Sequence, residues 1–290
     1  MLKRTAYLVY GGICYLAFLF TISYAIGFGG NYWQEFGWTG PWFRSMDVGP
    51  AAPIEEAILV DGLLLALFAV QHSVMARPGF KRGWTRVVPT AIERSTFVLA
   101  ASLCLALLFW QWRPIGSVVW DTSSSGLAIA LIVISLAGWA IALVSTFMID
   151  HADLLGLRQV VSAFGGKPIP AAEFATPGFY RAVRHPLYLG FIIAFWATPV
   201  MTVGHLFFAG AMTAYVLGAI QLEERDLVAQ FGETYRAYRR RVGMLVPLPH
   251  RDGKRGGGAP VSRSPRLTSG GDAPASRGTS GAPSERSATL

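Results

Sequence analysis

The chain has 290 residues, of which 52% are hydrophobic and only 14% charged, and its mean hydropathy is +0.41. Soluble domains carry about 25% charged residues, so these figures exclude a water-soluble globule and imply an all-α membrane protein. The net charge of +8 points to anionic lipid headgroups as its counterpart rather than to nucleic acid.

Residues 7–28 form a run without charge. The run is too long and too evenly apolar for a cleaved signal peptide, and no small-residue cleavage site follows it, so it reads as a retained first helix. The connection after it carries Trp33, Trp38 and Trp42 within residues 33–45. Five further apolar stretches follow, at 58–76, 96–112, 126–149, 187–203 and 206–222. With the first run they predict about six transmembrane helices. Cys14 and Cys104 each fall mid-way along a predicted span. They read as small core residues and imply neither a disulfide framework nor a metal site. No internal repeat is visible, which argues against a transporter-like inverted symmetry.

Loop charges set the orientation. Lys3 and Arg4 precede the first span, and residues 77–94 hold Arg77, Lys81, Arg82, Arg86 and Arg94 against Glu93. Residues 150–186 hold Lys167 with Arg158, Arg181 and Arg184, and the last span is followed by Arg225, Arg236, Arg239, Arg240 and Arg241. The alternate connections have Arg44 and Arg113 as their basic residues. Six spans place every basic loop on one side, with both termini cytoplasmic in a bacterial-type inner membrane. Residues 224–242 are expected to form a short amphipathic helix, with Leu227, Phe231, Tyr235 and Tyr238 at spacings of three and four. Such a helix would lie on the membrane surface or fold back over a site. Residues 1–249 are read as one membrane domain. Residues 250–290, about half Gly, Ser and Pro with no aromatic residue, are expected to be a disordered tail. No obligate protein partner is evident.

Two motifs bear chemistry. Arg184-His185-Pro186-Leu187-Tyr188-Leu189-Gly190 opens the fifth apolar stretch, and Glu223-Glu224-Arg225-Asp226-Leu227 closes the sixth. Two helices joined by a tight turn would return the chain to its starting face and bring His185 near Glu223. Pro186 suits a first helical turn, whose dipole, with Arg184, favours an anionic group. Gly190 would let a ligand approach the backbone. Acidic residues at a helix C-terminus oppose the dipole, so Glu223 and Glu224 call for compensation by arginines or by a cationic ligand. The plainer readings are a positively charged anchor with a helix-starting proline, and an ion-pair cluster of the acids with Arg184 and Arg225.

Arg-His-Pro-x-Tyr-x-Gly, then Glu-Glu-x-x-Leu, then Phe231-Gly232-x-x-Tyr235-x-x-Tyr238 resembles the isoprenylcysteine carboxyl methyltransferase-like family of membrane methyltransferases. The resemblance implies an S-adenosyl-L-methionine pocket built from these C-terminal elements. It carries cofactor binding over to Arg184, His185, Pro186, Tyr188, Gly190, Glu223 and Glu224. Softer matches point to a branch of that family, the methanethiol S-methyltransferases, which make dimethyl sulfide. These are Gln71 to Arg77, Ile92 to Thr96, Phe109 to Pro114 and His151 to Gln159. This similarity covers residues 1–249, and the tail lies outside it.

Methylation of a small volatile thiol asks for a thiolate, because an alkyl thiol titrates at or above about 8.5. The proton needs an acceptor. His151, flanked by Asp150 and Asp153, is one candidate, with a carboxylate neighbour expected to raise its basicity. Arg158 is a further catalytic candidate. His72 is another, since an ionisable group inside a span is costly and marks function by default. Gln159 and Arg77 are candidate substrate contacts. Each histidine also reads as a hydrogen-bonded interfacial residue, Asp61 as a structural partner of a nearby polar group, and His205 as structural. Other acceptors, an isoprenylcysteine carboxylate or a phospholipid amine, fit the same motifs. A haem- or quinone-associated protein with His72 and His151 as axial ligands leaves the motifs unexplained.

Overall fold

A computed structural model describes residues 1–168 and 174–247; the tail expected over 250–290 lies outside the described residues. Five helices have the length and apolarity to cross a membrane. They are α1 (Leu2–Gly29), α3 (Ile54–Ala76), α5 (Thr90–Gln111), α6 (Gly126–Ile149) and α10 (Val203–Phe231). Between them lie the short α2 (Tyr32–Glu35), α4 (Pro78–Trp84), α7 (His151–Leu154), α8 (Leu157–Gly165), α9 (Pro186–Trp196) and α11 (Glu233–Arg241). Two strands, β1 (Val118–Asp121) and β2 (Val200–Thr202), pair antiparallel. The chain is an all-α membrane protein.

The fifth apolar stretch in the count, 187–203, departs from expectation. It is helical only over the eleven residues of α9, a rise of about 16 Å against a hydrocarbon core of about 30 Å. Pro186 occupies the first helical turn, and Thr198-Pro199 ends the run, because a residue before proline is driven out of the α region. The chain then joins β1 before Thr202 caps α10, its hydroxyl accepting from the His205 N–H.

Gly138 on α6 and Gly190 on α9 allow these helices to cross backbone to backbone. A Cβ on Gly190 would lie 2.5 Å from the Gly138 carbonyl oxygen, and one on Gly138 would lie 2.7 Å from that of Gly190. The Ser135 hydroxyl adds a bond to the Ala194 carbonyl at 3.0 Å. Farther along, Phe28, Trp112, Phe195 and Phe208 fill the main apolar core. Asp61 is fully buried there and accepts from the Arg113 N–H at 2.9 Å. His205 is buried as well, its Nε2 2.9 Å from the Phe195 carbonyl.

The amphipathic segment expected over 224–242 is not one helix. Helix α10 runs without a break through the acidic pair to Phe231, so Glu223 and Glu224 lie two turns inside it rather than at its end. Gly232, at φ +58°, turns the chain, and α11 starts afresh. A side chain resists that region of backbone space and glycine does not. The apolar side of α11 is covered: Tyr235 and Tyr238 pack with Leu227, Phe231 and Phe174. It therefore folds back onto the bundle instead of lying flat on a bilayer.

Candidate functional site at the helix ends

The Arg184-His185 segment runs beside the chain that leaves α11. The Arg184 N–H donates to the Gly243 carbonyl at 2.8 Å and the His185 N–H to that of Met244 at 3.2 Å. The Arg184 guanidinium donates to Glu224 Oε1 at 2.7 Å, to the Val242 carbonyl, and to the Arg239 carbonyl at 3.2 Å. His185 Nε2 stands 3.1 Å from the same Glu224 oxygen. Arg239 Nε approaches the other Glu224 oxygen at 3.2 Å. Glu224, 4% exposed, is thus engaged by three partners that knit α9, α10 and α11 together. The ion-pair cluster weighed for the acids forms with Arg184 and Arg239, while Arg225 is exposed.

Glu223 differs. The Tyr188 hydroxyl donates to its Oε2 at 2.8 Å, and His185 Nδ1 comes no closer than 3.8 Å to Oε1. A carboxylate offers about four acceptor positions, so Glu223 keeps acceptor capacity at a partly open position. The Tyr235 hydroxyl, buried and without a hydrogen-bond partner among the described residues, lies in electrostatic reach of both acids. Burial pushes its phenol above the usual range, with the acids adding to the shift. Tyr238 is pushed up to about 12 by burial, and its hydroxyl donates to the Tyr180 carbonyl at 2.6 Å.

Cations face this acidic side from α3 to α5. Arg77 donates from Nη1 to Asp226 at 2.8 Å and from Nε to the Ser73 carbonyl at 3.2 Å. Arg94, 7% exposed, donates to the Leu154 carbonyl at 2.7 Å. Arg77 and Arg94 are both in electrostatic reach of Tyr188, and Arg94 also of Asp153. Lys81, 4.0 Å from Glu93, is held below the ordinary lysine value by burial.

The two candidate histidines have different surroundings. His72 sits between Phe68 and Phe97, with ring centroids at 5.3 and 4.8 Å, and its Nδ1 is buried with no hydrogen-bond partner among the described residues. His151 has both nitrogens engaged. Its Nδ1 is 2.8 Å from the Thr146 hydroxyl, which itself donates to the Leu143 carbonyl, so Nδ1 carries the hydrogen. Nε2 then accepts from the Tyr15 hydroxyl at 3.1 Å. The ring stacks on Phe147 at 4.0 Å. The expected rise in basicity does not occur. Burial holds His151 below the ordinary imidazole value and Asp150 offsets this only in part, because Asp150 is engaged by Arg158 and by the Asp153 N–H. Asp153 accepts from Gln159 Nε2 at 3.0 Å, and Gln159 Oε1 is buried without a partner among the described residues.

Arg184, His185, Tyr188, Glu223 and Glu224 therefore meet, with Pro186 starting the helix that presents them. Gly190 does not join them. The space expected for a ligand is filled by α6, whose backbone needs the missing Cβ. Tyr235, Arg94 and Arg239 belong to the cluster beyond the residues singled out from sequence. Tyr235 stands in the Phe-Gly-x-x-Tyr motif, and Arg94 is a cation in the first turns of a span; both signals were legible. Arg239 is one of three consecutive arginines, and nothing local distinguishes it.

The pattern of a protein family described as a protein of unknown function (DUF1295) matches residues 98–242. A methanethiol S-methyltransferase 2 of Bradyrhizobium diazoefficiens is 56% identical over 248 residues, 85% of this chain and 92% of that protein. A methanethiol S-methyltransferase of Mycobacterium tuberculosis is 52% identical over 250 residues, 86% of this chain and 99% of that protein. A Nurim homolog of Drosophila pseudoobscura pseudoobscura is 30% identical over 179 residues, 60% of this chain and 71% of that protein. No solved structure matches the chain.

Proposed function

The chain belongs to the methanethiol S-methyltransferase family, and we propose that it methylates methanethiol to dimethyl sulfide with S-adenosyl-L-methionine as donor. The observation that carries this reading is the Tyr188–Glu223 pair, with acceptor capacity to spare and with Arg77 and Arg94 in electrostatic reach of the tyrosine. Charge of both signs converging at one set of helix ends suits a zwitterionic donor. When bound, S-adenosyl-L-methionine supplies a methyl group on a sulfonium sulfur, open to in-line attack by a thiolate. Glu223 would accept from its ammonium or ribose hydroxyls, and the orphaned Tyr235 hydroxyl supplies a donor beside them. Arg184, His185 and Glu224 hold the frame.

His72 is the group proposed to take the thiol proton. Its buried Nδ1 lacks a partner among the described residues, whereas both nitrogens of His151 are spent. A proton acceptor must reach its proton before its basicity matters. The apolar walls supplied by Phe68 and Phe97 favour a step that converts opposite charges into neutral products. His151, Asp153, Arg158 and Gln159 are proposed to brace the turn of α7 and α8. The haem reading needs a free nitrogen on both histidines, and His151 has none. By loop charge the site faces the cytoplasm, where a soluble donor is available.

The test is headspace analysis of membranes containing the protein, supplied with methanethiol and S-adenosyl-L-methionine. Dimethyl sulfide is expected. His72→Gln should lower kcat by about 10²-fold or more, the contribution of a positioned proton acceptor, while S-adenosylhomocysteine affinity stays unchanged. Retained cofactor binding without dimethyl sulfide from the unmodified protein would remove the acceptor assignment and keep the methyltransferase class.

A further inference from the structure

The connection that follows α1 is aromatic and folded on itself. Gly27 lets the Trp33 indole lie flat against α1, where a Cβ would collide with the ring. Trp38 stacks on Trp33 at 5.5 Å and 9°, and Phe43 closes on Trp38 at 5.4 Å. The segment satisfies backbone groups of its own. The Phe36 and Trp38 N–H groups donate to the Tyr32 and Trp33 carbonyls, and Gln34 Nε2 donates to that of Phe43. Its inner side is tied into the bundle. The Met46 carbonyl accepts from Trp112 Nε1, and Asp47 accepts from the Thr202 hydroxyl at the start of α10. The segment therefore lies at the end of α10 opposite the candidate site. Its outer side is bare, with Phe36 70%, Trp38 51% and Trp42 79% exposed.

What adjoins that bare side points to lipid. Val9, Ile13, Leu16 and Phe20 are exposed at spacings of three and four, which makes one apolar row along α1. The row ends at Tyr24, whose ring is 6.3 Å from that of Phe20. The Tyr24 hydroxyl donates to the Trp42 carbonyl at 2.9 Å and accepts from the Arg44 N–H at 2.9 Å, so the segment sits directly on the end of the row. Arg4 and Tyr24 are 20 positions apart, a rise of about 30 Å along a helix, which matches the hydrocarbon core of a bilayer. With Arg4 at one headgroup layer, Tyr24 and Trp42 reach the other. We propose that Phe36, Trp38 and Trp42 form an anchor that inserts into the headgroup–acyl boundary of the leaflet opposite the candidate site. Tryptophan suits that layer, because its ring is apolar and its N–H can stay wet. An irregular segment tolerates acyl chains only when its backbone groups are bonded elsewhere, and the bonds within residues 32–43 supply part of that requirement.

The test reads depth directly, in the full-length protein reconstituted into phosphatidylcholine vesicles. Cys14→Ala and Cys104→Ala remove the native thiols, and a nitroxide is attached through Trp42→Cys, Phe36→Cys or, as a mid-span reference, Leu16→Cys. All three labelled positions are exposed, so the label displaces no packed side chain. Collisions with oxygen, which partitions into lipid, should exceed those with a water-soluble nickel chelate at both loop positions, with a ratio below that of the Leu16 label. A Trp42 label that collides mainly with the chelate would place the segment in water and overturn the anchor. Spin–spin broadening that disappears on dilution with unlabelled protein would overturn it in favour of a second copy of the chain. A measurement without labels or cysteine replacement stands beside this one. Lipids brominated near the headgroup should quench a larger share of the tryptophan emission in the unmodified protein than in Trp42→Phe. Equal quenched shares in the two would also overturn the proposal.

Discussion

Adjacent glutamates divide two tasks. Glu224 is buried and engaged by Arg184, His185 and Arg239, while Glu223 meets Tyr188 and keeps acceptor capacity. Removing one partner of a buried charge cluster leaves the others uncompensated, at a cost of about 3–5 kcal/mol. Glu224→Ala is therefore expected to lower thermal stability in detergent by an amount of that order. Glu223→Ala should leave the melting temperature nearly unchanged and weaken S-adenosylhomocysteine binding. Equal effects of the two on stability, measured side by side, would refute the division. The motif shows both acids, but their partners come from 40 residues upstream and from α11. The contrast could not be read from two neighbouring letters. The same holds for the histidines. Flanking aspartates suggested His151 as the base, yet Thr146 and Tyr15 occupy its nitrogens.

Elements repeat this pattern on a larger length. Hydropathy located α1, α3, α5 and α6 closely, because each is long enough to show itself without its neighbours. Helix α9 is shorter and α10 longer than their apolar runs, since proline punctuation and packing, not hydropathy, set those ends. Gly190 belongs to the α6–α9 crossing, where two helices meet at a distance that no Cβ permits. Gly190→Leu is expected to destabilise the protein by about 1–3 kcal/mol, the usual cost of overpacking, read as a lowered melting temperature. A loss of cofactor affinity with full stability would instead return Gly190 to the ligand site.

Across the whole molecule, α3, α5, α9, α10 and α11 bring cations, acids and the buried Tyr235 hydroxyl together at one end of the bundle. The proposed topology, in which every basic loop shares one side, would put that end at the cytoplasmic face. Reporter fusions at the N-terminus and after residue 249 should both report cytoplasmic location. A non-cytoplasmic signal from either would invert the topology or change the number of crossings. Helix α9, at eleven residues, is the segment on which that number turns.

By itself the sequence determined that the protein is helical and membrane-embedded, and which motifs ally it with membrane methyltransferases. Those are local properties: apolar runs and fixed spacings. Only the tertiary structure decided which glutamate is spent on the frame, which histidine keeps a free nitrogen, where Gly190 faces and how α11 folds back. Each of these depends on contacts between residues far apart in the chain, and a hydrogen bond or a filled volume consumes a group that looks equally available in the sequence.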